Sequence, residues 1–220
     1  MTTRLSSKLV QQIEKAAEIV KKGGVVAFST DTVYGLGANP FIKEAVDRIY
    51  TIKQRPRHLP LPVLLADESR IDEVVASVPG IALLFMKRFW PGGLTIVLPK
   101  AASFPGSGIA GENTVAVRIP HHEVTLALIR KAGVPIIGTS ANLSSKPSAL
   151  TAKEVEEQLG SAVDVIVDGG RCPGGVESTV VDLTGQAPVI LRQGAVTEEE
   201  ITRVYQEYSR EVDKRAYCSR

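Results

Sequence analysis

The chain has 220 residues, 44% of them hydrophobic and 23% charged, which suits one substantial core, favours a single domain over two and excludes a largely disordered chain. A formal net charge of +2 and a pI near 8.5 are too mild to announce a dedicated nucleic-acid binder. They leave room for a local basic cavity.

Leu9, Val10, Ile13, Ala16, Ala17 and Val20 predict one face of an opening helix, with Gly23 as its stop. This start is amphipathic and charged, unlike a signal peptide, and no apolar run approaches the ~20 residues of a membrane helix. The expectation is a soluble cytoplasmic protein without a membrane partner. Val25–Phe28 reads as a short buried strand. It runs into Ser29-Thr30-Asp31-Thr32-Val33-Tyr34-Gly35-Leu36-Gly37, where hydroxyls, a carboxylate and glycines predict a binding loop.

A helical period returns at Ile42, Ala45, Val46, Ile49 and Tyr50, and Pro56 ends it near Gln54 or Arg55. No carboxylate falls between Asp47 and Asp67, whereas Arg48, Lys53, Arg55 and Arg57 do. These cations either complement the negative end of the helix in solvent or form an anion site facing the polar loop.

Leu61–Leu65 reads as a strand, and Asp67 as the cap of a helix carrying Ile71, Val74 and Val75. Pro79 opens a helix over Ile81–Phe89, which Pro91-Gly92-Gly93 halts. Trp90 at its end reads as core packing, with stacking on a base as the alternative. Leu94–Leu98 is a strand, and Ser103-Phe104-Pro105-Gly106-Ser107-Gly108 a loop. In Thr114–Ile119 the period of two puts Val115, Val117 and Ile119 on one face and Thr114, Ala116 and Arg118 on the other. That second face is either solvated or part of a cleft.

Glu123–Ala132 is helical with Gly133 as stop, and Val134–Ile137 is a strand that empties into a second hydroxyl-rich loop, 138–145. In open α/β sheets, ligands gather at such strand ends. Thr151 and Glu154 form a capping box for a helix through Leu159. Val163–Val167 is a strand, followed by the glycine-rich segment 169–175, a candidate lid. Thr179–Leu183 and Pro188–Arg192 read as a hairpin, so part of the sheet is antiparallel. Thr197 and Glu200 cap a last helix, with fraying expected after Ser209. Cys172 and Cys218, the only cysteines, read as unpaired thiols.

Several chemistries are absent. There is no Walker loop and no Gly-x-Ser-x-Gly elbow, and His58, His121 and His122 lack metal-ligand spacing and read as surface or loop residues. What remains is hydroxyls, glycines and arginines spread over several loops. That inventory suits a polyanionic ligand.

Ser29–Gly37, Lys53-Gln54-Arg55-Pro56, Thr114-Val115-Ala116-Val117-Arg118, Ser140-Ala141-Asn142 and Gly175-Val176-Glu177-Ser178-Thr179 resemble, in this order, the motifs of the YrdC-like family. The resemblance covers about residues 8–196 and implies one YrdC-like domain over 1–220, with a C-terminal helix and tail from 197. The fold it implies is α/β, a twisted mixed parallel and antiparallel sheet with flanking helices around a positively charged cavity.

The activity the resemblance implies is threonylcarbamoyl-AMP synthesis from L-threonine, bicarbonate or CO2 and ATP with Mg2+, releasing pyrophosphate. Downstream tRNA threonylcarbamoyl-transfer proteins would be partners, and weak tRNA binding is expected alongside. Carried over by position, Lys53, Arg55, Thr114, Ser140, Asn142, Ser148 and Arg192 fall to ATP, Lys53 and Arg55 being catalytic. Thr32, Arg118, Gly138 and Ser178 fall to threonine, and no residue is assigned to a metal. Leu59 and Leu64 depart from polar and histidine positions of some family members. The alternative function is a non-catalytic RNA-binding or ribosome-assembly module.

Overall fold

The computed structural model of the protein describes residues 5–105, 109, 111 and 113–218. Residues 106–108 of the expected glycine-proline loop, and the last two residues of the tail, lie outside the described residues. Helix α1 (Ser7–Lys21) begins where the Ser6 hydroxyl accepts from the Leu9 amide, 3.3 Å away. Its buried stripe of Ile13, Ala16, Ala17 and Val20 packs against α4 (Glu123–Ala132). The remaining helices are α2 (Lys43–Lys53), α3 (Gly80–Phe89), α5 (Ala152–Leu159) and α6 (Glu198–Cys218).

Among the described residues, ten strands form two mixed sheets. They are β1 (Val26–Phe28), β2 (Gly35–Gly37), β3 (Val63–Leu64), β4 (Leu94–Pro99), β5 (Thr114–Arg118), β6 (Ile136–Ile137), β7 (Thr139–Ser140), β8 (Val165–Val167), β9 (Thr179–Asp182) and β10 (Val189–Arg192). The smaller sheet has the order β7-β2-β1-β8 and the larger β10-β9-β4-β5-β3-β6. In the larger sheet parallel pairs (β4 with β9, β3 with β5) alternate with antiparallel ones, whereas the smaller sheet has two adjacent antiparallel pairs and one parallel pair, β1 with β8. One run of five residues serves both sheets: β6 pairs with β3 in the larger sheet, and β7 pairs with β2 in the smaller. Gly138 lies between them.

The structure corrects several expectations. Gly35–Gly37 is not loop but a strand, fully buried and paired with β1. Thr139–Ser140, inside the second hydroxyl-rich segment, is likewise a short strand. Asp67 caps a 3-10 helix over Glu68–Glu73 instead of an α-helix, and Val74 and Val75 lie beyond it. The last helix continues past Ser209 to Cys218 and packs on α3; Thr197 and Glu200 close a reciprocal cap at its start (3.2 and 2.8 Å).

Segment 169–175, the candidate lid, is tied to the rest of the protein at three points. Gly170 accepts from the Tyr34 hydroxyl at 2.9 Å, the Cys172 amide donates to Leu150 O at 2.9 Å, and the Gly175 amide donates to Thr32 O at 2.9 Å. Burial pushes the Cys172 thiol up to about 11. Trp90 is core, with its indole N–H on Leu94 O at 2.8 Å. Among the described residues no helix is long and apolar enough to cross a membrane.

Candidate active site

A cavity of about 380 Å3 opens where the two sheets meet, a volume within the usual range of small-molecule sites. Its walls come from the Thr30–Gly35 segment, the end of α2, β3, the end of β5, residues 138–148, and the Glu177, Ser178 and Arg192 cluster. Gln54 takes a left-handed conformation (φ 50°) as the C-cap of α2, and Pro56 disfavours a helical Arg55. This sharp exit lets Lys53 and Arg55 reach the same cavity. The basic cluster therefore divides: Arg48 pairs with Asp164 and Arg57 with Asp47, both at the surface, while Lys53 and Arg55 line the cavity.

Lys53 is 1% exposed. Its ammonium donates to Ser140 O, to Asn142 O at 2.8 Å and to Asn142 Oδ1 at 3.1 Å. An ammonium has three N–H groups, so all are spent on the 140–142 turn. Asn142 is also committed: its Nδ2 donates to Leu143 O at 3.0 Å and Lys146 O at 2.5 Å. These two residues form the frame of the site and fix its second loop to the end of α2. Burial, reinforced by the charge of Arg55, pulls the Lys53 ammonium down to about 8. Arg55 is anchored by Nε on Leu59 O and Nη2 on Pro60 O, both at 3.2 Å, and its Nη1 makes no hydrogen bond to a described residue.

Arg118 sits at the end of β5, 6% exposed. The face it shares with Thr114 and Ala116 is therefore a cleft wall at this end, not open solvent. Its Nε donates to Gly92 O at 2.8 Å, Nη1 to Thr32 Oγ1 at 3.0 Å and Nη2 to Asp31 Oδ1 at 2.6 Å. A guanidinium carries five N–H groups, with two on each terminal nitrogen. One donor on each terminal nitrogen is therefore left without a partner among the described residues.

Across the cavity, Arg192 donates through Nε and Nη2 to Ser178 O (3.1 and 2.8 Å), through Nη2 to Ser178 Oγ (3.1 Å), and through Nη1 to Glu177 Oε2. The other Glu177 oxygen accepts from Ser148 Oγ at 2.7 Å. Ser178 Oγ also lies 2.8 Å from Thr95 Oγ1. Burial pushes the Glu177 carboxyl up, but Arg192, the Ser148 and Ser140 hydroxyls and Lys53 together hold it below the usual range.

Thr32, Lys53, Arg55, Arg118, Gly138, Ser140, Asn142, Ser148, Ser178 and Arg192, ten of the residues singled out in the sequence, line this one cavity. Thr114 does not. It starts β5, four residues and roughly 13 Å of strand before Arg118. Leu64 is in the wall, and a Cβ on Gly138 would stand 2.2 Å from its Cγ, so glycine is required there. Leu59 is exposed and contributes its carbonyl to Tyr50 and Arg55. His58 and His121 are exposed as expected, whereas His122 is half-buried with an unpartnered Nδ1.

Sequence reading missed the roles of Glu177, Lys146 and Asp31. A lone carboxylate beside Ser178, and a lone cation four residues after Asn142, were the available signals.

Fold and site together define an α/β protein with two mixed sheets and a small-molecule cavity at their junction, rich in cationic and hydroxyl donors. The Sua5/YciO/YrdC family model, described as "Telomere recombination", matches residues 18–194. The threonylcarbamoyl-AMP synthase of Bacillus subtilis is 47% identical over 194 residues, covering 88% of this chain and 56% of that protein. A putative threonylcarbamoyl-AMP synthase of Mycobacterium tuberculosis is 38% identical over 87% of this chain and 88% of its own length. The solved structure of Pyrococcus abyssi Sua5 complexed with L-threonine superposes with a TM-score of 0.87 at 44% identity, covering 92% of this chain and 58% of that one. The chain belongs to the Sua5/YciO/YrdC family. It spans little more than half the length of the Bacillus and Pyrococcus relatives.

Proposed function

We propose that the protein is a threonylcarbamoyl-AMP synthase, joining L-threonine, CO2 or bicarbonate and ATP, and that residues 8–196 form its YrdC-like catalytic unit. The observation that carries this reading is the meeting of Lys53 and Arg55 with Ser140, Asn142 and Arg118 around one hollow. These groups come from segments up to about ninety residues apart in the chain. The names of the Bacillus and Mycobacterium relatives support it. The Mycobacterium protein, of which the chain spans 88%, supports placing the activity in this unit.

Lys53, Arg55, Arg118, Lys146 and Arg192 face the cavity against the single carboxylate of Glu177, so the cavity is positively charged. Arg55 Nη1, the Lys146 ammonium and the hydroxyls of Ser140 and Ser148 receive the triphosphate. Thr114, outside the wall, is kept as a nucleotide contact for the part of ATP that extends beyond the cavity. The two free donors of Arg118 take the threonine carboxylate, with Thr32, Gly138 and Ser178 around the rest of the amino acid. Mg2+ enters with ATP as part of the substrate. Phosphate oxygens and water supply most of its ligands in such sites, and among the described residues no group of three His, Cys, Asp or Glu could hold it.

The threonine amine adds to CO2 and loses a proton to give a carbamate. A carbamate oxygen then forms the bond to the α-phosphorus as the bond to pyrophosphate breaks. In transfers at phosphorus the protein mainly aligns reactants and stabilises the charge that spreads over the phosphoryl oxygens. Arg55 does this directly. Lys53 does it through the field of a buried charge and by fixing the Ser140–Asn142 turn.

The alternative of an RNA-binding module is disfavoured because Lys53 and Arg118 are 1% and 6% exposed, out of reach of a polymer backbone. Weak tRNA contact and transfer to tRNA by other proteins remain part of the proposal. The test is pyrophosphate release dependent on threonine, bicarbonate and ATP. Arg55→Ala is expected to lower it at least about tenfold, equivalent to ~1.4 kcal/mol of transition-state stabilisation. Release that is unchanged in Arg55→Ala, or that does not depend on threonine, refutes the assignment.

A further inference from the structure

Among the described residues of the wall, Glu177 is the one carboxylate beside five cationic side chains. A lone carboxylate facing a polyphosphate site opposes the ligand, so its presence calls for an explanation. Its oxygens are held by the Ser148 hydroxyl (2.7 Å) and by Nη1 of Arg192, groups from two distant segments, with the Ser140 hydroxyl also bearing on the carboxylate. The rest of the Arg192 guanidinium is anchored elsewhere, on Ser178 O and Oγ. The Nη1 edge is therefore the part that can change partners while the side chain stays in place.

Two oxygens bridging a guanidinium edge and a hydroxyl are also what a phosphate group would present at this position. The Arg192–Glu177 pair is partly open to solvent, at 44% and 30% side-chain exposure, and pairs this exposed contribute little to stability. An anion with more charge can displace it. Among the described residues, Glu177 is the group that bonds both Nη1 of Arg192 and the Ser148 hydroxyl.

We propose that Glu177 is an internal counter-anion: it occupies the polyphosphate position in the free protein, yields Arg192 and Ser148 to the incoming ligand, and returns to help expel pyrophosphate. The ligand class is an inorganic or nucleoside polyphosphate. This rests on the reading of the cavity as a triphosphate site. It goes further by assigning Glu177 a role that opposes binding, where a residue that merely holds Arg192 in place would promote it.

The two roles predict opposite signs. Pyrophosphate affinity is measured by titration calorimetry on the full chain for the natural protein, Glu177→Gln, Glu177→Ala and Glu177→Asp, with thermal unfolding as the check on folding. Glu177→Gln and Glu177→Ala are expected to bind pyrophosphate about tenfold more tightly, ~1.4 kcal/mol, and to show stronger product inhibition. Glu177→Asp, which keeps the charge, stays near the natural protein. Equal or weaker binding by folded Glu177→Gln or Glu177→Ala overturns the inference while leaving the triphosphate site standing. A natural protein that binds neither pyrophosphate nor ATP overturns both.

Discussion

Replacing Arg118 with lysine keeps the charge and removes the geometry. The guanidinium holds Gly92 O, Thr32 Oγ1 and Asp31 Oδ1 at 2.8, 3.0 and 2.6 Å and still has a donor free on each terminal nitrogen. An ammonium has three donors on one atom. If it keeps Asp31, whose side chain is 15% exposed against 8% for Arg118, it cannot also span Gly92 and Thr32. Two buried bonds from a charged donor are lost, each worth about 1.5–3 kcal/mol, and partial rewetting of the acceptors brings the net cost to about 2–3 kcal/mol. For a chain of this size that lowers Tm by about 5–10 °C. The two-point grip on a carboxylate goes as well, and L-threonine affinity falls at least about tenfold. Differential scanning calorimetry and threonine titration read the two effects separately. A Tm within about 2 °C of the natural protein, together with unchanged threonine affinity, refutes the assignment of Arg118 as both brace and carboxylate clamp.

Two further outcomes follow from the frame of the site. The Lys53 ammonium titrates near 8 in the folded protein and near 10.4 in an unfolded chain, so between those values the unfolded state holds more protons and this group's contribution to stability rises with pH. The cavity loses a cation at the lower edge of the same window. Thus kcat/KM should fall above a pH of about 8, and Lys53→Arg, which stays charged, should move the fall upward; a profile that is flat through that region, or identical in both proteins, contradicts the role. Gly138→Ala puts a methyl 2.2 Å from Leu64 Cγ and should cost about 1–3 kcal/mol by overpacking. Adding Leu64→Ala should cost less than the two single changes summed, as read by denaturant unfolding, whereas strict additivity would separate the two positions.

The elements that could be read from sequence were those with a period or a cap. The buried stripe of α1, the Thr151–Glu154 and Thr197–Glu200 caps, the stop at Gly133 and the alternation of β5 all correspond to local signals. Strands β2 and β7 carry no such signal. Each is two or three residues long, and Gly35 and Gly37 read as turn residues; pairing makes them strands, β2 with nearby β1 and with distant β7. The site divides similarly. Its hydroxyls and cations stand out as motifs, whereas the engagement of Asn142 with Lys53, or of Glu177 with Arg192, depends on side-chain directions that spacing does not encode. Thr114 is the converse case: membership of a motif does not bring it into the wall of this cavity.

The stretch from Ile136 to Ser140 is stitched into both sheets, and it supplies the back of the hollow at Gly138, Thr139 and Ser140. On the proposed reading, the amino-acid end and the phosphate end of the hollow thus share a single spine. A rotation of one sheet against the other must bend that spine at the glycine, where Leu64 already fills the space a side chain would take. On that reading the spacing between carbamate and α-phosphorus depends on how tightly this crease is folded, and a substitution there alters the alignment of both reactants at once.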